Sequence, residues 1–307
     1  MQKAGLPRVA VVGAGAVGGY YGALMARAGA SVIMIGRPAF VDAVRATGLR
    51  VDAREFQDTL RVEASTELEA VRGADLVLFC VKTTDTADTA RALVPLLPPG
   101  SVVVSLQNGV DNAEQIRAAS GIDALGAVVY VGAAAPEPGF IRHFGRGDLV
   151  LGPITERTQR VAALFERYGV PCKVSDNLEG ELWTKLVINA ALNPVSALGQ
   201  ATYGRIAESA DGRQLLDALI AEVLAVARAA KLTLPGMETQ AAAVAVVTRI
   251  TEQMPGQFSS TGQDLRRGKR TEIDSLNGHV ARRGAELGVP TPVNQALYTL
   301  VKLAENR

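Results

Sequence analysis

The chain has 307 residues, 32 Lys and Arg against 31 Asp and Glu, and a formal net charge of +1. At roughly 100–200 residues per domain, this length predicts two domains with separate cores. Hydrophobic residues at 48% exclude a disordered chain, and the near-neutral balance excludes the broad positive field of a nucleic-acid or anionic-membrane binder.

In chain order, residues 9–12 are predicted as a strand, 16–28 as a helix and 31–35 as a second strand. Residues 49–62 read as a strand pair with a polar middle. Residues 76–81 and 102–106 are near-continuous apolar runs, the pattern of strands buried on both faces. Helices are predicted at 66–72, 86–97 and 112–119, and Pro98-Pro99-Gly100 closes the second of them. Residues 128–131, 140–144 and 149–151 continue the strand pattern, followed by a helix at 159–168 and a strand at 172–174. From Asn177 onward only helices are predicted, at 178–192, 215–230, 239–252, 272–287 and 294–305. The fold class is therefore α/β: a Rossmann-type doubly wound parallel sheet in residues 1–176, then a mostly α-helical domain in residues 177–307.

Cys80 and Cys172 form no CxxC pair, and His143 and His279 stand alone, so neither a zinc knuckle nor a His-rich metal site is expected. No apolar run reaches the ~18 residues of a membrane span. Residues 1–8 lack the basic region, apolar stretch and cleavage site of a secretory leader. The expected location is the cytoplasm.

Between the first strand and helix lies Gly13-Ala14-Gly15-Ala16-Val17-Gly18. In that context the first Gly permits the tight turn, the second admits a pyrophosphate to the backbone, and the third lets helix and strand pack closely. The helix N-terminus adds free N–H groups and partial positive charge. A tight turn without ligand is the competing reading. The second strand ends in Gly36-Arg37, where an NAD site carries a carboxylate. Arg37 can take a 2′-phosphate in forked hydrogen bonds, which favours NADP(H) over NAD; its competing reading is a solvated loop Arg. Lys82 follows the strand at 76–81, and Gln107-Asn108-Gly109 follows the strand at 102–106. Both fall at carboxyl ends of strands, where open α/β sheets bind ligands, although each alone could be an ordinary turn residue.

The predicted helix at 178–192 is apolar around most of its circumference, yet Lys185, Asn189 and Asn193 recur at i, i+4, i+8 along one face. Burying such groups unpaired costs roughly 1–3 kcal/mol each, so they require water, internal hydrogen bonds or a polar ligand. A solvated helix edge is the competing reading. Ser259-Ser260 and the segment 267–274 form a second polar cluster, with Arg266, Arg267, Lys269 and Arg270 as a basic run expected in a solvated turn before the helix; contact with a cofactor phosphate is the competing reading.

Together these motifs resemble the ketopantoate reductase (2-dehydropantoate 2-reductase) family. The resemblance rests on residues 13–18, Gly36-Arg37, Val81-Lys82, Gln107-Asn108-Gly109, residues 181–194 with Trp-x-Lys-x₃-Asn-x₃-Asn-Pro, Ser259-Ser260, and residues 270–278 with Thr-Glu-Ile-Asp-x-Leu-Asn-Gly. It implies NADPH-dependent reduction of 2-dehydropantoate to (R)-pantoate in pantothenate and coenzyme A biosynthesis, in a cleft between a Rossmann domain and a helical one. By resemblance Lys185 and Glu272 are the catalytic residues: Lys185 is the proton donor, and Glu272 helps position the reacting groups and contacts either cofactor or substrate. Asn189, Asn193 and Ser260 bind substrate. Arg37 and Lys82 hold the adenosine phosphate end, and Asn108 lies beside the nicotinamide and the substrate. Tyr203 departs from an Asn found in some members, and residues 132–135, where the family contacts cofactor through its backbone, align poorly. The expected partner is a small 2-oxo acid, without nucleic acid or membrane, and a homodimer is compatible. Rival readings are a reductase of another branched 2-oxo acid, a β-hydroxyacid dehydrogenase, which shares Lys-x₃-Asn, and a non-catalytic NADP(H) sensor.

Overall fold

A computed structural model describes residues 7–305; the reading of residues 1–8 falls, up to Leu6, outside the described residues, as do Asn306 and Arg307. The chain divides into two compact units, 1–178 and 179–307.

In the first unit the apolar runs become short strands: β1 (Val9–Val12), β2 (Val32–Ile35), β3 (Leu49–Asp52), β4 (Gln57–Leu60), β5 (Glu63–Ser65), β6 (Leu76–Phe79), β7 (Val102–Ser105), β8 (Leu125–Glu137), β9 (Phe140–Gly152) and β10 (Cys172–Val174). They form one sheet in the order β4-β3-β9-β8-β7-β6-β1-β2-β5, with β10 beside β9. Pairing is parallel except for β3–β4 and β8–β9. Successive side chains of a strand face opposite sides, and both sides are covered here. Val9, Val11, Leu76 and Leu78 belong to one core cluster, while Ala10, Val12, Val77 and Phe79 belong to the other. That two-sided burial is why these strands carry no polar residue. The connecting helices are α1 (Ala16–Arg27), α2 (Pro38–Thr47), α3 (Thr86–Leu93), α4 (Asn112–Ser120) and α5 (Glu156–Arg167).

Several expected boundaries shift. The helix expected at 66–72 is a single 3-10 turn, Leu68–Val71, because Ser65 is drawn into β5 and Gly73 turns the chain at φ +80°. α3 stops at Leu93 rather than 97 because Pro95 has no N–H to continue the ladder. The strands expected at 140–144 and 149–151 are one irregular strand, β9, whose register against β8 shifts beside Gly145, Arg146 and Gly147, all at positive φ. β5 and α2 are additional to the expected elements.

The second unit is helical: α6 (Leu178–Gly199), α7 (Tyr203–Glu208), α8 (Ala210–Ala229), α9 (Gln240–Gln253), α10 (Ser260–Arg266), α11 (Asn277–Leu287) and α12 (Pro292–Glu305). α6 begins in the last residue of the first unit. It was expected to end at 192 but continues through Pro194, because a side-chain amide replaces the bond that the proline ring cannot make. The helix expected at 272–287 is split. Ile273–Ser275 is a 3-10 turn, Leu276 leaves the helical region at φ −108°, ψ −104°, and α11 starts afresh at Asn277. The short α7 and α10 were not expected as helices. Among the described residues no helix is long and apolar enough to cross a membrane.

Candidate active site

In the first unit, parallel strands β7, β6, β1 and β2 lie side by side, and each delivers a polar or glycine segment at its carboxyl end. β1 connects through α1 to β2 on one side, while β6 flanks it on the other, so a topological switch point lies beside β1. Gly13 sits there at φ +98°. A Cβ on it would lie 2.6 Å from both the carbonyl carbon of Cys80 and the backbone nitrogen of Val81. Gly13 and Ala14 donate their N–H groups to the carbonyl of Ile35, each at 3.0 Å, which ties the turn to the end of β2. Gly15 is the exposed N-cap of α1, and a Cβ there would meet nothing within 4 Å. Gly18 is packed tightly, since a Cβ would lie 2.5 Å from the carbonyl oxygen of Gly13 and 2.8 Å from the Val11 side chain. The three glycines thus divide into a turn, an open face and a close helix–strand contact, the division a pyrophosphate cradle requires. Ala14 and Gly18 are buried, Gly13, Ala16 and Val17 are half-buried, and Gly15 is the exposed residue of this run.

Arg37 is the exposed N-cap of α2, followed by Pro38 at the first helical position. Its guanidinium has no hydrogen-bond or ion-pair partner among the described residues. Lys82 is half-buried and begins the 3-10 turn Thr83–Asp85. Asn108 is half-buried, and its carbonyl accepts from the Asn112 side-chain amide at 2.7 Å and from the Thr83 hydroxyl at 3.4 Å. Gln107 has a role the sequence reading missed. Its buried amide donates to the carbonyl of Val81 at 3.0 Å and to the Thr86 hydroxyl at 2.7 Å, while its oxygen accepts from the Ser105 hydroxyl at 2.9 Å. This clamp joins the segments after β6 and β7 and fixes where Lys82 and Asn108 leave the sheet. The available signal was an uncharged amide placed directly after an apolar strand. Burial pushes the Cys80 thiol far above its usual range, so it stays protonated at neutral pH. Residues 132–135 lie within β8, half-buried.

In the second unit, α6 carries Lys185 and Asn189, both half-buried, and Asn193, which is buried. Neither Asn amide has a hydrogen-bond partner among the described residues. α6 meets α10 at its proline end: the buried Ser259 hydroxyl donates to the carbonyl of Asn193 at 3.0 Å and accepts the Gly262 N–H as the helix cap. The Ser259 N–H in turn donates to the Ser196 hydroxyl at 3.1 Å. These bonds hold Ser260, the exposed first residue of α10, close to the Asn193 end of the polar line. Arg266 is not in the expected turn but in the last turn of α10, stacked on Phe258 and donating to Gln200. Tyr203 is half-buried, and that burial pushes its hydroxyl up to about 12.

Glu272 lies half-buried between two anchors. Thr271 donates both its N–H (2.8 Å) and its hydroxyl (2.6 Å) to the Glu305 carboxylate. Asp274 accepts from the Tyr298 hydroxyl at 2.8 Å and from the Lys302 ammonium at 2.9 Å. Partial burial pushes the Asp274 carboxyl up, but the bonds from Lys302 and Tyr298 outweigh it and hold the group below the ordinary carboxylate range. The same balance holds Glu305 low, with Thr271 and Lys302 as its donors. No cluster of three or more His, Cys, Asp or Glu that could hold a metal occurs among the described residues.

A parallel sheet with this switch point and glycine cradle defines a Rossmann-type dinucleotide-binding fold, here followed by a helical unit. The family descriptions "Ketopantoate reductase PanE/ApbA" and "Ketopantoate reductase PanE/ApbA C terminal" match residues 9–156 and 177–305. The chain belongs to the ketopantoate reductase family. It is 32% identical over 306 residues to the 2-dehydropantoate 2-reductase of Halobacterium salinarum, covering 97% of this chain and 99% of that protein. Among solved structures, a PanE/ApbA family ketopantoate reductase from Ralstonia eutropha JMP134 is 48% identical, with a TM-score of 0.91 over 97% of this chain and 98% of that one. The ternary structure of D-mandelate dehydrogenase with NADH and anilino(oxo)acetate shares the fold at 20% identity and a TM-score of 0.89, over 97% and 98% of the two chains.

The cradle geometry makes Gly13 intolerant of any side chain. Gly13→Ala is expected to destabilise the protein by roughly 2–4 kcal/mol, combining positive-φ strain with a clash against backbone that cannot rotate away. Urea unfolding of the cofactor-free protein measures it, and wild-type stability in the variant would contradict the close approach.

Proposed function

We propose that the chain is an NADPH-dependent 2-dehydropantoate 2-reductase, with residues 1–176 as the cofactor-binding domain and residues 177–307 as the helical substrate and catalytic domain, Asn108 of the first also reaching the substrate. The observation that carries this reading is the Lys185-Asn189-Asn193 line of α6, which presents two amides without hydrogen-bond partners among the described residues. Amides left unpaired in an apolar helix, Asn189 half-buried and Asn193 buried, favour a polar ligand.

The cradle of Gly13, Gly15 and Gly18, with the N–H groups that open α1, suits a dinucleotide pyrophosphate. Ala14, Ala16 and Val17 complete that turn. Arg37, exposed and unpaired among the described residues, suits the 2′-phosphate through its forked donors. Lys82 supplies a second positive charge at the same edge, and Asn108 an amide near the nicotinamide end and the substrate. When bound, NADPH supplies a hydride to the C2 carbonyl carbon of the 2-oxo acid. The chain's own residues do the rest. Lys185 hydrogen-bonds the carbonyl oxygen and transfers a proton to it as negative charge develops, giving the C2 hydroxyl of (R)-pantoate. Asn189, Asn193 and Ser260 orient the carboxylate and hydroxyl groups. Glu272, anchored through Thr271 and Asp274, positions the reacting groups.

Three measurements test this reading. With a panel of 2-oxo acids, NADPH absorbance should fall fastest with 2-dehydropantoate and far more slowly when NADH replaces NADPH. A preference for a different acid would reassign the substrate, and oxidation with none would remove the reductase reading. Lys185→Ala should lower kcat roughly 10²–10⁴-fold with cofactor affinity intact, as for loss of a general acid. Near-normal turnover would take Lys185 out of that role. Arg37→Ala should weaken NADPH by about 1.5–3 kcal/mol and leave NADH almost unchanged; equal losses for both would contradict the 2′-phosphate assignment.

A further inference from the structure

Pro194 sits inside α6, one residue after Asn193. In an unbroken helix the N–H of residue 194 would donate to the carbonyl of Ala190, and proline has no N–H to give. That carbonyl is nevertheless satisfied: the side-chain amide of Asn277, from the first residue of α11, donates to it at 2.9 Å. The same amide nitrogen donates to the Asn294 side-chain oxygen, also at 2.9 Å. Asn294 is itself fixed, since its amide donates to the Glu222 carboxylate at 2.8 Å, which also accepts the backbone N–H groups of Val293 and Asn294. Asn277 and Asn294 are both fully buried. The arrangement is a chain of polar groups, two amides and a carboxylate. It places a side-chain donor at the one helical carbonyl that the proline orphans, in the turn that joins Asn189 to Asn193.

We propose that Asn277 is a positioning residue for the reaction. It replaces the backbone bond missing at Pro194 and thereby holds the Asn189–Asn193 turn of α6 in the geometry that meets substrate. The assignment rests on the reading of those two amides as substrate-binding. Proline crowds the carbonyl of residue i−4 as well as failing to bond it, so a helix with this insertion frays or kinks unless another donor engages that carbonyl. Asn277 makes no contact with substrate in this role; it acts through Ala190 and the turn that follows.

The test is a double-mutant cycle between Asn277→Leu and Pro194→Ala. Leucine keeps the Cγ branching of asparagine and removes its donor, its larger volume being common to the single and double variants, while alanine at 194 restores the backbone N–H that can bond the Ala190 carbonyl. The loss of the donor to Asn294 is common to the single and double variants, so their difference isolates the α6 bond. In Asn277→Leu, amide hydrogen exchange across residues 190–199 should speed up about tenfold or more, the scale of one lost buried hydrogen bond. KM for 2-dehydropantoate should rise by a similar factor while NADPH affinity stays at the wild-type level. In Pro194→Ala/Asn277→Leu, both exchange and KM should return to within about threefold of wild type. Unchanged exchange in Asn277→Leu would overturn the proposal, as would a double variant no better than the single one in folding, exchange or KM. Failure of the wild-type protein to reduce 2-dehydropantoate would remove the functional reading instead, and the exchange data would still decide the role of Asn277.

Discussion

The dinucleotide edge depends on one close approach, that of Gly13 to the peptide joining Cys80 and Val81. Strands β1 and β6 run parallel and in register, so the segments that leave them compete for the same space. A side chain at position 13 would fall 2.6 Å from two backbone atoms of that peptide, closer than any rotamer change could relieve. Because residue 13 has none, the chain turns directly from β1 into α1, and the helix N-terminus comes to lie at the switch point. Gly15 is then left open at the start of α1, and Lys82 follows the end of β6 by three residues. The Gln107 clamp extends the same ordering to β7 by joining Val81, Thr86 and Ser105 through one buried amide.

The helical unit solves a different problem. α6 is too apolar to be left in water and too polar along one line to be buried without partners. Its proline end is held by side chains from elsewhere: Ser259 on the Asn193 carbonyl and Asn277 on the Ala190 carbonyl. The segment bearing Glu272 is held by carboxylates, Glu305 on Thr271 and Asp274 on Lys302. A hydrogen bond to a charged group contributes roughly 1.5–3 kcal/mol, and an unsatisfied buried partner costs a comparable amount, so these anchors are worth most where they are least exposed. The two motifs that dominate the sequence resemblance, residues 183–194 and 271–278, meet in one hydrogen bond, since Asn277 of the second donates to the Ala190 carbonyl that Pro194 of the first cannot bond.

The glycine turn, the four-strand carboxyl edge and the Lys185-Asn189-Asn193 line were legible in the sequence because each is local. Apolar runs without polar residues report two-sided burial, and a period of four residues reports a helix face. What escaped was decided by distant partners or by short chain segments. β5 has only three residues, and it is a strand because β2 offers it a parallel edge. The break at Leu276 lies in a segment whose polar residues find partners on α12, so α11 begins one turn later than periodicity suggests. The continuation of α6 beyond 192 was illegible for the opposite reason: Pro194 is a valid stop signal, overridden by an amide some eighty positions along the chain.

The most direct measurement of the central claim uses NADPH deuterated at the transferable position of its nicotinamide, incubated with 2-dehydropantoate and the purified protein. The expected product is pantoate carrying one deuterium at C2 for each cofactor oxidised. Cofactor oxidation that leaves the label out of pantoate, or no pantoate at all, would contradict it.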